Sequence, residues 1–320
     1  MRMHHIRISC SAGWAIMLFL ITPLFSAQAQ TAQLNQMALV QAQNQPLVQG
    51  TMPSPGGIGN EVPASPNDAD LGDQQILKPA EAHQPFSALF TTPIFFTSNV
   101  ALTNRGEASD LVVAPTVGAF YDSKLTQTLY AHIGAQEQVF YYDKYTSFNF
   151  GSLDCQAGLA YFMPGLHNLM LRAWYDFNRL TFADELGNEF FSNHQILLDA
   201  ELPFKLGRAQ QVSLGADANL SVGADHQFPR RNDYEAYVAY SVNLTRAFLI
   251  QAGGRVVVRD YHQNGRTDVS EILSASATYR FTNWGALSAI SSFAHNEGNH
   301  TVFDYNVANV GGSLELSLKF

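Results

Sequence analysis

Charged residues at even spacings are the first chemistry in this chain. Arg255 and Arg259 are four apart, so an extended backbone puts them on one face with Gln251 and Gly253. The next segment presents Ser274, Ser276, Thr278 and Arg280 on a shared face. Arginines 255, 259 and 280 on adjacent strands would make a cationic ladder for an anionic solute. The same frame aligns Asp154, Arg172, Asp176, Asp199, Glu201, Lys205, Asp217, Glu235, Glu315 and Lys319, with His132 and Gln136 beside them. Two uses stay open. Opposite charges can pair and fill a narrow interior, or they can line a path for ions or a small charged solute. Full pairing of the arginines, with Glu235 for example, makes them structural. Partial pairing predicts a mild anion preference.

Histidines 194, 226, 262, 295 and 300 fall near segment ends, with Ser192 close to His194. A histidine that activates a serine or a water is what an enzyme acting on lipid or envelope glycan requires. The chain has no H-E-x-x-H, Gly-rich phosphate loop or Asp-rich calcium loop. No catalytic, cofactor-binding or metal-binding residue is therefore assigned, and no cofactor is expected. Cys155 is the only cysteine after the leader, which excludes an internal disulfide and a thiolate metal site. Flanked by Leu153, Ala157 and Leu159 on its own side, it reads as a small buried hydrophobe.

The elements that must position these residues are strands. From Phe86 onward, alternating segments rich in Val, Leu, Phe, Tyr and Ala are separated by polar clusters. They run over 93–104, 111–122, 127–142, 147–163, 168–182, 193–206, 210–225, 233–245, 247–261, 268–282, 285–297 and 306–320. In one, Val212, Leu214, Ala216, Ala218, Leu220 and Val222 oppose Ser213, Asp217, Asn219 and Ser221. Tight turns (123–126, 164–167, 207–209, 246, 283–284) alternate with more polar and mostly longer links. Tyr121, Tyr161, Phe204, Tyr234, Tyr240, Tyr279, Phe281, Trp284 and Phe320 sit mostly near strand ends, as a membrane-interface girdle would. In lipid every backbone donor and acceptor must be paired, so such a sheet has to close. Glu137 breaks the pattern, because its frame turns it toward lipid. It marks either a bulge or a strand end that rises above the membrane.

The termini agree with this. Residues 1–29 have Arg2 and Arg7, an apolar run over 12–25 and an Ala27-Gln28-Ala29 cleavage site, the pattern of a secretory signal peptide. Cys10 precedes the apolar run and cannot serve as a lipoprotein cysteine. Loss of the two arginines takes the formal charge from −9 to −11, which argues against nucleic acid as a partner. Residues 30–85 are rich in Gln, Ala, Pro and Gly and read as a flexible periplasmic arm. Within it, Leu34, Met37 and Val40 share a helical face and could dock one short helix on a periplasmic partner. The arm is too short and too poor in strand repeats to be a secreted passenger.

The last strand, Gly311 to Phe320, places Leu314, Leu316, Leu318 and Phe320 on one face and Ser313, Glu315, Ser317 and Lys319 on the other. With the leader, it resembles the closing strand of Gram-negative outer-membrane β-barrel proteins, in which a terminal aromatic residue is an assembly signal. The resemblance covers residues 86–320 and rests on that one motif. It implies an all-β transmembrane up-and-down antiparallel barrel of twelve strands in the cell outer membrane. It also implies outer-membrane lipid, the barrel assembly machinery and periplasmic chaperones as partners. A passive or weakly selective porin-like pore, or a structural envelope barrel with a plugged lumen, is the expected function; an outer-membrane barrel enzyme is the alternative.

Overall fold

The computed structural model describes residues 29–40, 84–183 and 188–320. The expected signal peptide through residue 28, and residues 41–83 of the expected arm, lie outside the described residues. Residues 29–40 form one helix, α1. The strands are β1 (Phe86–Thr97), β2 (Asp110–Val113), β3 (Thr116–Lys124), β4 (Leu129–Tyr142), β5 (Phe150–Met163), β6 (Leu169–Phe182), β7 (Glu189–Lys205), β8 (Gln210–Asp225), β9 (Arg231–Asn243), β10 (Phe248–Tyr261), β11 (Thr267–Arg280), β12 (Gly285–Gly298) and β13 (Tyr305–Lys319).

All pairings are antiparallel, and β13 returns to β1 from Ser87↔Lys319 to Thr97↔Asn309, which closes the sheet. β2 and β3 occupy a single row. β1 pairs with β2 through Ile94–Thr97 and with β3 through Phe86–Thr91, and both short strands also pair with β4. The barrel thus has the twelve rows that the alternation predicts, one of them broken. Two prolines explain the break. Pro115 follows the gap at Ala114, and Pro93 lies across from it on β1, so two residues lacking an N–H donor share one interruption of the ladder. The first strand was expected over 93–104. It begins earlier because Pro93 sits inside it rather than opening it, and Val100 and Leu102 belong to the loop that follows.

In β8 before its bulge (Leu214) and in β10 (Val256, Val258), even-numbered residues face outward and are exposed, while their odd-numbered neighbours face the lumen. An apolar exterior around a polar interior is the arrangement of a barrel solvated by lipid. Cys155 is on this exterior and is half-buried rather than buried. Short turns at 125–128, 164–168, 206–209, 244–247 and 281–284 share one end of the barrel with Phe86 and Phe320. The other end has loops 98–109, 143–149, 183–188, 226–230, 262–266 and 299–304. Glu137 stays on the outer face with no bulge in β4. Arg179 occupies the outer face two strands away and binds Glu189 at 2.8 Å, so the three form a polar strip near the loop end. Bulges occur instead at Leu180/Thr181 and His194/Gln195.

Candidate functional site: a lumen crossed by its own helix

α1 is inside the barrel. Thr31 through Met37, Leu39 and Val40 are all buried, polar and apolar alike. A helix buried on every side normally needs an apolar surface, but this one enters an interior with polar partners to offer. Gln33 Nε2 donates to the Phe148 carbonyl at 3.3 Å, and Gln36 Nε2 to the Asn99 carbonyl at 2.9 Å. Asn35 Oδ1 accepts from the Arg231 guanidinium, and Ser152 Oγ lies 2.9 Å from Met37 Sδ.

The apolar residues of α1 divide between two walls. Leu34, Met37 and Val40 pack with Phe95, Val112, Phe140, Phe150, Leu180 and Phe191 of β1, β2 and β4–β7. Ala32 and Leu39, two turns apart, pack with Val257, Ile272, Ala294 and Val307 of β10–β13. Loop 98–109 folds inward over the helix and does the same, with Val100 in the first cluster and Leu102 in the second. Leu102 holds a left-handed backbone at φ 48°, a cost offset by the apolar seat its side chain gains. Helix and loop together form a crossbeam near the loop end. Residues 30–40 of the expected flexible arm instead form an ordered helix in the lumen, because the lumen supplies partners for Gln33, Asn35 and Gln36.

Below the crossbeam lies a row of charge. Asp199, Asp217 and Glu235 stand directly opposite one another in register on β7, β8 and β9. Arg172 Nε binds Asp199 at 2.7 Å and its other arm is 3.8 Å from Glu201, while Arg255 binds Glu235 at 3.0 Å. Asp217, in the middle, has no ion pair among the described residues. Like charges set directly opposite across strands are destabilising, so this row breaks an ordinary rule of sheet pairing. Asp154 and Asp176 extend the acidic wall on β5 and β6, held by Asn178 at 2.6 Å and Gln195 at 2.6 Å.

The cationic ladder is not formed. Arg255 is taken by Glu235, and Arg259 turns to Ser270 and Asn296 with Asp233 at 3.9 Å. Arg255 stands opposite Ile272, which puts Arg280 eight residues down β11, roughly 27 Å away. Arg280 and Glu315 face the lumen near the turn end. Phe320 joins the seam, its N–H donating to the Phe86 carbonyl at 2.8 Å.

Three aromatic residues that the charge pattern did not single out line the same wall. Phe120 lies over Gly134, Trp174 over Gly158 and Tyr237 over Gly215, each pair directly opposed on neighbouring strands. A Cβ at Gly215 would come within 2.1 Å of the Tyr237 ring, so only glycine admits it. His132 stacks on Trp174 at 4.7 Å and binds Asp122 at 2.7 Å. Glycines alternating with lumen charges were the available sequence signal. The rim histidines contact Tyr175 (His194), Asp225 (His226), Asn232 (His262), Asn306 and Glu297 (His295) and the Asn264 carbonyl (His300). None of these partners is a serine hydroxyl, and Ser192 is not the partner of His194.

No protein-family model matches the chain, and no curated protein matches its sequence. Among solved structures, an outer-membrane channel from Pseudomonas putida F1 is similar at TM-score 0.53 and 12% identity, over 73% of this chain and 96% of that one. The translocator domain of the autotransporter NalP from Neisseria meningitidis is similar at TM-score 0.42 and 13% identity, over 75% and 90%. LpxR from Salmonella typhimurium is similar at TM-score 0.42 and 11% identity, over 71% and 99%. The likeness to the Pseudomonas channel is one of fold, a closed antiparallel β-barrel.

Proposed function

We propose that the chain is an outer-membrane channel held shut near its loop end by residues 29–40. The observation that carries this reading is the crossbeam, a buried helix whose two faces pack on opposite walls. The wall beneath it holds Asp154, Asp176, Asp199, Glu201, Asp217 and Glu235 against Arg172 and Arg255. The freed pore is therefore weakly selective for cations, the reverse of the preference expected from the arginine spacing. Single-channel recording of refolded protein in planar bilayers tests both points. The full chain should be silent, and deletion of residues 30–40 should produce discrete conductance steps whose reversal potential favours cations. Steps of equal size and frequency in both proteins would refute closure by the helix.

A second reading has one specific observation behind it. On the outer wall, His295 is bonded to Asn306 at 2.7 Å and to Glu297 at 3.2 Å. It borders a groove of about 460 Å³ lined by Val238, Gly254, Val256, Leu273 and Phe293. A barrel enzyme acting on lipid would place its substrate there. Silence of both proteins, together with lipid hydrolysis lost on His295→Ala, would favour this alternative.

A further inference from the structure

The turn end repeats one small pattern. Leu125 follows Lys124, Leu206 lies between Lys205 and Arg208, Leu244 lies two residues before Arg246, and Phe281 follows Arg280 in the turn that Trp284 closes. The exposed apolar side chains of these turns range from 42% for Phe281 to 60% for Leu206. Turn 164–168 pairs Leu166 with His167. Arg208 and Arg246, which lie in the turns themselves, are exposed, while Lys124, Lys205 and Lys319 end their strands on the lumen face; none of the five has an ion pair among the described residues. The acids nearest this end, Asp122 and Glu315, are engaged by His132 and attracted to Arg280. The loop end is the opposite, with Glu107, Asp225, Asp260, Glu271 and Glu297 exposed.

Backbone hydrogen bonds tie the turns into a ring. Phe162 N–H donates to the Thr128 carbonyl, Asn243 to Ala209, Arg280 to Ala247 and Ser317 to Trp284, all at 2.8–2.9 Å. Each turn backbone is thus held at a fixed height, and two of the turns carry Arg208 and Arg246 close in sequence to the exposed Leu206 and Leu244. We propose that this ring is a binding surface for anionic phospholipid headgroups of the leaflet it faces. The apolar tips enter the boundary between acyl chains and headgroups, as interfacial side chains do. The neighbouring cations then meet the phosphate layer, where basic residues attract anionic lipid. Short turns of bacterial barrels face the periplasm, so the ligand is a phospholipid rather than the lipid of the outer surface.

Trp284 reports on this ring directly. It is 49% exposed at the rim, whereas Trp174 is buried in the lumen at 7% and Trp14 belongs to the leader. The full refolded chain is placed in mixed vesicles in which either phosphatidylglycerol or phosphatidylcholine carries brominated acyl chains, and quenching is compared. Brominated phosphatidylglycerol should quench about three- to fivefold more effectively per mole at low salt. The preference should shrink at 0.5 M NaCl, where exposed charges are screened. It should fall toward unity in Arg208→Gln/Arg246→Gln and persist in Arg208→Lys/Arg246→Lys, with heat-modifiable gel migration confirming a folded barrel in each. Equal quenching by the two lipids overturns the proposal. So does a preference that survives the glutamine variant.

Discussion

Near the loops, arginines are held as they are in a protein core. Arg266 lies between the Tyr261 and Phe303 rings at 4.0 and 3.4 Å while bound to Asp268, and Arg259 rests on Ser270 and Asn296. Lower in the lumen, Arg172 and Arg255 clamp the two ends of a row of carboxylates that oppose each other in register. The upper region is finished on all sides by helix, loop and aromatic rings. The lower one is a single lined wall with an excess of one charge. Buried charge is tolerated when every group has a partner, and an unbalanced row costs stability unless water or a solute shares it. The difference separates a region that closes the barrel from one that faces whatever the barrel admits.

The largest effect should come from breaking the upper region alone. Leu39 is 1% exposed among Ile272, Ala294 and Val307, and Leu39→Asp would bury a carboxylate there without disturbing any strand pairing. The cost, several kcal/mol, falls on helix seating. Gel migration should remain that of a folded barrel while channel recordings change from silence to steps like those of the helix deletion. Continued silence would mean that something other than the helix closes the lumen.

A moderate effect should come from the wall. Gly215→Val forces the Tyr237 ring off its seat and should lower stability by about 1–3 kcal/mol, read from the denaturant midpoint of refolded protein. Gly223→Ala is the control on the same strand, beyond the bulge and on the outer face, because its nearest neighbour lies 4.0 Å from the added carbon. Equal midpoints for the two variants would show that the aromatic–glycine contacts do not order the lower wall.

The smallest effect concerns Asp217. In the helix-deleted protein, Asp217→Asn removes one carboxylate that has no ion pair and should reduce the cation-to-anion permeability ratio by about twofold, given the modest strength of charge interactions in a hydrated lumen. An unchanged ratio would place the selectivity elsewhere.

The strand rows, the two unlike ends and the inward direction of the charges were readable from period-two alternation, because each strand meets lipid on one side and polar groups on the other. Pairing was readable only in part: Glu235 was named as a partner for the arginines and takes Arg255, but Arg259 turns to Ser270 and Asn296. Which carboxylate takes Arg172 depends on register across β6 and β7, which local pattern does not encode. The helix was half visible: Leu34, Met37 and Val40 carry the right spacing. Its polar positions look like the marks of a tether until Phe148, Asn99 and Arg231 are found waiting for them. Composition rules assume an apolar core, and this core is polar.

The two seats of the helix have different histories. The one for Leu34, Met37 and Val40 is made largely by β1, β2 and β4–β7, but the one for Ala32 and Leu39 is built from β10–β13, which follow them in sequence. Contacts between residue 32 and residue 307 are among the most distant in sequence, and such contacts form late. Residues 29–40, early in the sequence, are therefore among the last to find their place. A barrel truncated before β10 keeps the first seat and lacks the second, so the helix can span the lumen only once the later strands are in place.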